Sequence, residues 1–251
     1  MRNLRAAVAF LTRIPVPISG TPSMTAAVPW FPVVGAAVGL AVGGSAALLL
    51  HVVPPLVAAS LAVLVGIVLT GAFHEDGLAD VADAFAGGWT REQRMRILRD
   101  PLHGSYGVAA LCGSIVVRVG CIASFGVSPA VAFACVVAAH ALGRAGAVAL
   151  MAAMPAARAD GLGAEYTRSL QPWSAAVGEA SGVAIAALAV GWWVGPFVLA
   201  TAVGAAGVAW LAMRKVGGIT GDVLGAAEQT IECLVLVTAT GLATRYRLWW
   251  R

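Results

Sequence analysis

The chain alternates between long apolar stretches and short polar segments, and the apolar stretches have the length of membrane-spanning helices. Seven of them run approximately over residues 28–50, 54–73, 107–126, 129–153, 174–194, 196–213 and 222–243. A bilayer core about 30 Å thick requires roughly 20 helical residues, which these stretches provide or approach. The pattern therefore predicts an all-α, polytopic integral membrane bundle of about six or seven transmembrane helices.

The N-terminal segment has a different character. Its sequence, MRNLRAAVAFLTRIPVP, combines basic residues with a short apolar run, and no small-residue cleavage site precedes Arg13 and Pro15. We expect it to stay on the chain as an amphipathic helix at the membrane surface. No internal repeat or low-complexity linker interrupts the sequence, so residues 1–251 are interpreted as a single domain.

Composition and charge support this picture. Apolar residues make up 60% of the chain and charged residues only 11%, where soluble domains carry roughly a quarter. This balance excludes an ordinary cytosolic globular protein and a disordered chain. The net charge of +4 is spread over short loops, which argues against a nucleic-acid-binding protein.

Basic residues are distributed unequally between the loops that separate the predicted spans. Alternate loops contain 11 basic residues against none, which places the N-terminus and the long loops in the cytoplasm, as expected of a multi-pass protein of the cytoplasmic (inner) membrane. Three basic residues do not fit this distribution, because seven spans would place them on the outer side of the membrane: Arg245, Arg247 and Arg251. Either the last segment does not cross fully, or the tail departs from the rule.

An acidic segment directly follows the second apolar stretch. On a continuous helix Asp76, Asp80 and Asp83 share one face within roughly 60°. Like charges on neighbouring turns repel each other, so we interpret the cluster as a site for a divalent cation, and open carboxylates suit Mg²⁺. Glu75 would join them only if the helix were broken near Gly77. The alternative is a solvated helix face that carries acids.

Three further segments offer contacts to an anion. Backbone N–H groups around Ser105 and Tyr106, between two glycines, could face an anion, or the segment is a plain entry into the third span. Arg144 lies near the cytoplasmic end of a span and could bind a phosphate, whereas Arg118 fits a buried pair with an acid equally well. The glycine-rich segment before Asp222 could bind a phosphate, with Asp222 as a metal ligand or a helix cap.

Six motifs in this order carry a resemblance to a known family. They are FLTRIPVP (10–17), WFPVVGAAVGL (30–40), FHEDGLADVADAFAGG (73–88), DPLHGSYG (100–107), GRAGAVALMAAMPAARADGLG (143–163) and GGITGDVLGAAEQ (217–229). Together they closely resemble the cobalamin synthase family of adenosylcobinamide-GDP ribazoletransferases, over nearly the whole chain. The departures from the family pattern lie mostly around Pro101 and His103.

The resemblance implies a magnesium-dependent membrane phosphotransferase that joins adenosylcobinamide-GDP to α-ribazole or its 5′-phosphate and releases GMP. Asp76 and Asp80 are then the expected catalytic metal ligands, and Asp83 is the expected general base. His74 is an alternative base, although on a continuous helix it lies on the far side from the acids. The further candidate metal ligands are Glu75, Asp83 and Asp222, and the candidate substrate-binding residues are Arg13, Ser105, Tyr106, Arg144, Arg158, Asp160, Gly217, Gly218 and Thr220.

The expected partners are the two small-molecule substrates and the lipid bilayer, without nucleic acid, and a homo-oligomer is left open. One alternative function is a CDP-alcohol phosphotransferase, but Asp80 and Val81 replace the Ala and Arg of that family's D-G-x2-A-R motif. Another is a small permease with Arg118, Arg144 and Glu179 along its path. Against it, no matching pair of broken spans indicates an inverted repeat.

Overall fold

The protein is described by a computed structural model over residues 1–17, 23–126 and 128–248, and this part of the chain is helical without a strand. Its helices are α1 (Arg2–Leu11), α2 (Met24–Ala27), α3 (Phe31–Leu49), α4 (Pro55–Thr70), α5 (Phe73–Gly87), α6 (Arg91–Ile97), α7 (Ser105–Ser124), α8 (Pro129–Ala153), α9 (Leu162–Ser169), α10 (Pro172–Val190), α11 (Val194–Lys215) and α12 (Gly221–Ala243). The predicted all-α, polytopic membrane bundle is confirmed.

All seven predicted apolar stretches form helices. Among the described residues, five continuous helical stretches are long and apolar enough to cross a membrane, and a sixth is obtained if α4 and α5, which meet at an angle of 91°, count as one broken span. The stretch Pro172–Lys215 has 44 residues, about twice the length of one span. Gly191, with φ 60° and ψ −131°, interrupts it. The expected separation into α10 and α11 is therefore confirmed.

Helix α8 forms the centre of the bundle, because nearly all of its side chains from Val131 to Met151 are buried. Helix α3 packs on it through glycines one turn apart. A Cβ at Gly39 would come within 2.9 Å of the Cα of Val137, and a Cβ at Gly43 within 2.9 Å of a backbone oxygen of α8. The close approach of the two backbones agrees with the small-residue packing of membrane helices.

The bundle has two chemically different ends. One end, which we call the acid end, contains α5, α6 and the loops that precede α9 and α12. At the other end α7 finishes at Ser124, which lines a cavity of about 650 Å³ together with Trp193 and Tyr246. Helix α12 thus crosses the whole bundle, and Arg245 and Arg247 follow it at this far end. Of the two alternatives, the tail therefore departs from the charge asymmetry of the loops, because these arginines lie at the end opposite the basic loops. Arg251 lies outside the described residues.

Helix α1 packs against the acid end through one side. Ala6, Ala7 and Leu11 are buried while its arginines are exposed. Phe10 stacks on Phe31 with ring centroids 5.6 Å apart. The amphipathic character predicted for this helix is confirmed, and its position at a membrane surface stays a prediction.

Candidate active site

The acidic helix α5 begins after a sharp bend in the chain. Gly71 and Ala72 both have positive φ angles, 67° and 58°, so the helix of α4 cannot continue through them. The backbone N–H of Arg13 donates to the carbonyl of Leu69 at 2.7 Å, which ties the N-terminal segment to this bend. From Phe73 to Gly87 the helix is unbroken, so its faces are fixed as the sequence predicted.

Helix α12 crosses α5 at two glycines and brings a further acid to the cluster. A Cβ at Gly77 would come within 2.8 Å of the carbonyl oxygen of Asp222, and one at Gly225 within 3.5 Å of the Cα of Gly77. A side chain at Gly77 would therefore push the helices apart, and one at Gly225 would already be in van der Waals contact with α5. The close crossing therefore places Asp222, in the first turn of α12, beside the acids of α5.

Asp76, Asp80 and Asp222 form what we call the open acid site. Within the described part of the chain, no arginine or lysine nitrogen lies within 4.0 Å of their carboxylate oxygens. Asp76 is 64% exposed and Asp80 14%. Burial, reinforced by the carboxylates of Asp76 and Asp222, raises the pKa of Asp80 to about 6. The site thus has an excess of negative charge that its own neighbours do not compensate.

One side chain that the sequence interpretation left without a role contacts two of these acids. The Nε2 atom of His103 lies 3.4 Å from Oδ1 of Asp76, and its Nδ1 atom lies 3.4 Å from Oδ1 of Asp80. His103 belongs to the loop before α7, more than 20 residues along the chain from Asp80. The only signal in the sequence was that the chain departs from the family pattern at this position.

Asp83 lies on the same face of α5, but its surroundings are those of a structural residue. It is buried, its Oδ2 accepts from the N–H of Gly104 at 2.6 Å, and its Oδ1 accepts from the N–H of Gly107 at 2.9 Å. Both oxygens thus have backbone donors, which indicates a structural role for Asp83, and its expected roles as general base and metal ligand stay predictions. The anion expected beside Ser105 and Tyr106 is the chain's own Asp83.

The opposite face of α5 enters a group of charged side chains inside the bundle, which we call the buried ion network. Its members are His74, Glu75, Arg118, His140, Arg144, Glu228 and Glu232, all of them buried. Glu75 accepts from Arg118 at 2.9 Å, and Arg118 also lies 3.6 Å from Glu232. The carboxylate of Glu75 therefore faces an arginine inside the bundle, and its expected role as a metal ligand stays a prediction.

Arg144 also belongs to this network. Its guanidinium contacts the carboxylates of Glu228 and Glu232, and the same group lies 2.9 Å from Nδ1 of His140. Arg144 is thus paired inside the bundle, and its expected phosphate contact stays a prediction. His74 lies 3.4 Å from Arg144, so it faces away from the open acid site, as predicted for a continuous helix, and its role as the alternative base also stays a prediction.

The buried ion network also contains a group with the spacing of a metal site. Ligand atoms of His140, Glu228 and Glu232 lie within 4.8 Å of one another, the one such group of three in the described chain. However, the Arg144 guanidinium contacts both carboxylates and therefore occupies the position that a cation would take. We interpret the group as an internally compensated charge cluster.

The remaining candidate substrate contacts lie around the acid end. Arg158 is 3.7 Å from Asp160, which is exposed and also lies 3.9 Å from Arg99. Gly218 packs on the loop before Arg158, since a Cβ there would come within 2.3 Å of the carbonyl oxygen of Pro155. The expected candidates Gly217 and Thr220 have backbone roles here: Gly217 has a φ of 81°, and Thr220 is buried as the N-cap of α12.

Two arginines of α6 connect these loops. Arg91 donates to the carbonyls of Val216 and Ala157, at 2.8 and 2.6 Å. Arg94 donates to the carbonyl of Lys215 at 3.1 Å. Helix α6 therefore clamps the loops before α9 and α12 together beside the open acid site.

Comparison with known proteins gives one consistent result. A sequence model of the family described as cobalamin-5-phosphate synthase matches residues 3–240. Relatives named adenosylcobinamide-GDP ribazoletransferase include a protein of Chlorobaculum tepidum, 38% identical over 95% of both chains. Another, from Azorhizobium caulinodans, is 40% identical over 94% of both chains, and a third, from Bradyrhizobium diazoefficiens, is 40% identical over 94% of this chain and 92% of its own. No solved structure matches the chain.

Proposed function

The chain belongs to the cobalamin-5-phosphate synthase family, and we infer from this membership that it catalyses the adenosylcobinamide-GDP ribazoletransferase reaction. The observation that carries the inference is the match over residues 3–240, supported by relatives of this name that are 38–40% identical over almost their full length. The two alternatives, a CDP-alcohol phosphotransferase and a permease, find no support in these likenesses.

The proposed reaction is a phosphoryl transfer in the late part of cobalamin biosynthesis. A ribose hydroxyl of α-ribazole, or of its 5′-phosphate, attacks the phosphorus that carries the cobinamide. A P–O bond forms to the hydroxyl oxygen, and the bridging P–O bond of the diphosphate breaks, with its electron pair leaving on GMP. The products are adenosylcobalamin, or its 5′-phosphate, and GMP.

We propose that the open acid site holds Mg²⁺. Its donor set fits this ion, because Mg²⁺ prefers carboxylate oxygens and commonly shares its coordination with substrate phosphates. The raised pKa of Asp80 and the lack of an arginine or lysine partner for Asp76, Asp80 and Asp222 within the described residues support the assignment. When bound, the ion supplies positive charge that neutralises the bridging and leaving oxygens of a diphosphate.

The protein's own groups then have three tasks: to hold the ion, to accept a proton and to bind phosphate oxygens. Asp76, Asp80 and Asp222 would hold the ion beside the diphosphate. Because Asp83 and His74 both contact other groups of the protein, we assign the proton of the attacking hydroxyl to the open carboxylates. Phosphoryl transfer through a loose transition state depends mainly on positioning and charge neutralisation, so this arrangement suffices for the chemistry.

Arginines at the acid end are proposed to bind the phosphate oxygens. Arg158 is half-buried, and its positive charge acts on Asp222. Arg13 is exposed and packs against Gly71 at the bend that begins α5. Arg158 therefore lies near the open acid site, Arg13 lies beside the start of the helix that carries two of its acids, and both side chains are more exposed than Arg144.

We propose that the acid end faces the cytoplasm of the inner membrane. The support is the collection of basic loops at this end, in agreement with the tendency of cytoplasmic loops to carry Lys and Arg. A cytoplasmic site also has direct access to nucleotide-activated substrate. Site-directed labelling of residues 88–104 in closed vesicles tests the orientation, and labelling from the outer side would contradict it.

The function is tested with the purified full-length protein in nanodiscs. The protein is supplied with Mg²⁺, adenosylcobinamide-GDP and α-ribazole 5′-phosphate, and GMP is quantified over time. We expect one GMP for each joined product, and no release when either the ribazole or the metal is left out. If folded protein released no GMP under these conditions, the proposed function would be wrong.

A further inference from the structure

His103 lies between the two acids that we assign to the metal. Its two ring nitrogens are each 3.4 Å from a carboxylate oxygen, one of Asp76 and the other of Asp80. The side chain is 36% exposed, so it is open to a ligand that approaches the acids. Within the described residues no other side chain contacts both of them at this distance.

The backbone, and not the imidazole itself, keeps His103 in this place. The neighbouring Gly104 donates its N–H to Asp83, and Gly107 does the same one turn later. A Cβ at Gly107 would come within 2.2 Å of the Asp83 carboxylate, so the loop lies directly on α5. Asp83 follows Asp80 by almost one turn, and anchoring the loop there holds the imidazole over the acids.

These distances match the spacing of neighbouring ligand atoms around one ion. In an octahedral site with ligands about 2.1 Å from the ion, adjacent ligand atoms are about 3 Å apart. An imidazole nitrogen is a good ligand for divalent ions, and its second nitrogen commonly donates to a carboxylate that orients the ring. His103, with a carboxylate beside each nitrogen, fulfils both conditions.

We propose that His103 supplies a nitrogen ligand to the divalent cation held by Asp76 and Asp80. One ring nitrogen binds the ion, while the other faces the carboxylate of the second acid and donates to it. This inference rests on the metal site of the proposed function and extends it. It makes the site a mixed nitrogen and oxygen site, whose affinity for ions that favour imidazole exceeds that of carboxylates alone.

A competing interpretation makes the opposite prediction. If the imidazole only filled the gap between the acids, it would have to leave before a cation entered. Removing it would then strengthen metal binding, whereas loss of a ligand weakens it. The sign of the change in affinity therefore decides between the two.

The experiment uses Mn²⁺ alone as the probe, bound to the full-length protein in detergent. Binding is followed by the electron paramagnetic resonance signal of free Mn²⁺, and nitrogen coordination by the ¹⁴N modulation of the bound ion. We expect ¹⁴N coupling in the wild type, its loss in His103→Gln, and about tenfold or more weaker binding of Mn²⁺ in that variant. The matched control is His51→Gln, since His51 is exposed in the turn after α3, and it should change neither signal.

Three results would overturn the inference: Mn²⁺ bound without ¹⁴N coupling, tighter binding in His103→Gln, or a coupling that persists in this variant. The last would place the ion at His140 in the buried ion network. These failures are separable from failure of the proposed function, because the nitrogen signal is measured without substrate and GMP release is measured independently. If His103→Gln does not fold, a wild-type spectrum without ¹⁴N coupling still overturns the inference, and His103→Asn replaces the variant with the same expected loss of coupling.

Discussion

The two faces of helix α5 carry acids with opposite surroundings, although Glu75 and Asp76 are neighbours in the sequence. Glu75 faces the bundle and has an arginine within 2.9 Å. Asp76 faces outward, and within the described residues the one basic side chain within 4.0 Å of its carboxylate is the imidazole of His103. A buried carboxylate needs a fixed partner, whereas the charge of an exposed carboxylate cluster can be neutralised by a bound ligand. Charge compensation thus separates structural acids from candidate catalytic ones.

The largest effect is expected from removing one charge of the open acid site. Asp80→Asn retains the shape of the side chain but withdraws a metal ligand. We expect GMP release to fall by about 10³-fold, a loss typical of removing a group that stabilises transition-state charge. The unfolding transition should change little. The matched control is Glu92→Gln on α6, an exposed acid, and equal loss of activity in the two variants would contradict the assignment.

On the other face of α5, removing a charge should affect stability first. Arg118→Met leaves the carboxylates of Glu75 and Glu232 buried without one of their partners. Breaking a buried pair in this way costs about 3–5 kcal/mol of unfolding free energy. Unfolding in mixed micelles measures the loss.

The control for Arg118→Met is the same change combined with Glu75→Gln. Neutralising both partners removes the uncompensated charge, so the double variant should recover part of the stability. If the single variant were as stable as the wild type, the buried ion network would not have the structural role assigned to it.

Asp83 is intermediate between the structural and the candidate catalytic acids. It lies on the same face of α5 as Asp76 and Asp80, but its carboxylate is hydrogen-bonded to the protein. Asp83→Asn loses one acceptor for the N–H groups of Gly104 and Gly107. Hydrogen bonds to a charged group contribute about 1.5–3 kcal/mol, so stability should fall by this amount. Thermal unfolding with and without Mg²⁺ measures it. Full stability combined with abolished turnover would instead restore Asp83 as the general base.

Much of this arrangement was predictable from the sequence, and the reasons differ by residue. The helical stretches and the common face of Asp76, Asp80 and Asp83 depend on local periodicity, which the sequence displays directly. The pairing of Arg144 with Glu232 joins residues 88 positions apart, and that of Asp83 with Gly104 joins residues 21 apart. No local pattern specifies such partners, so the roles of these arginines and acids emerged only from the packing.

The smallest expected effect is the dependence of metal affinity on pH, and it concerns only the open acid site. Because the pKa of Asp80 is raised to about 6, protons compete with the cation for this carboxylate below that pH. We expect the affinity for Mg²⁺ to fall by up to about tenfold for each pH unit below 6 and to be nearly constant above about pH 7. Titrations at several pH values measure this. An affinity that stays constant from about pH 7 down to about pH 5 would contradict the assignment.

The most direct test of the whole account asks which of the two acid groups binds the metal ion. Mg²⁺ binding is measured by competition with Mn²⁺ in the wild type, in Asp80→Asn and in Glu228→Gln, on preparations that elute as folded protein. We expect Asp80→Asn to abolish binding and Glu228→Gln to retain it, because Arg144 already compensates the charge of the buried carboxylates. Binding lost in Glu228→Gln and kept in Asp80→Asn would contradict it.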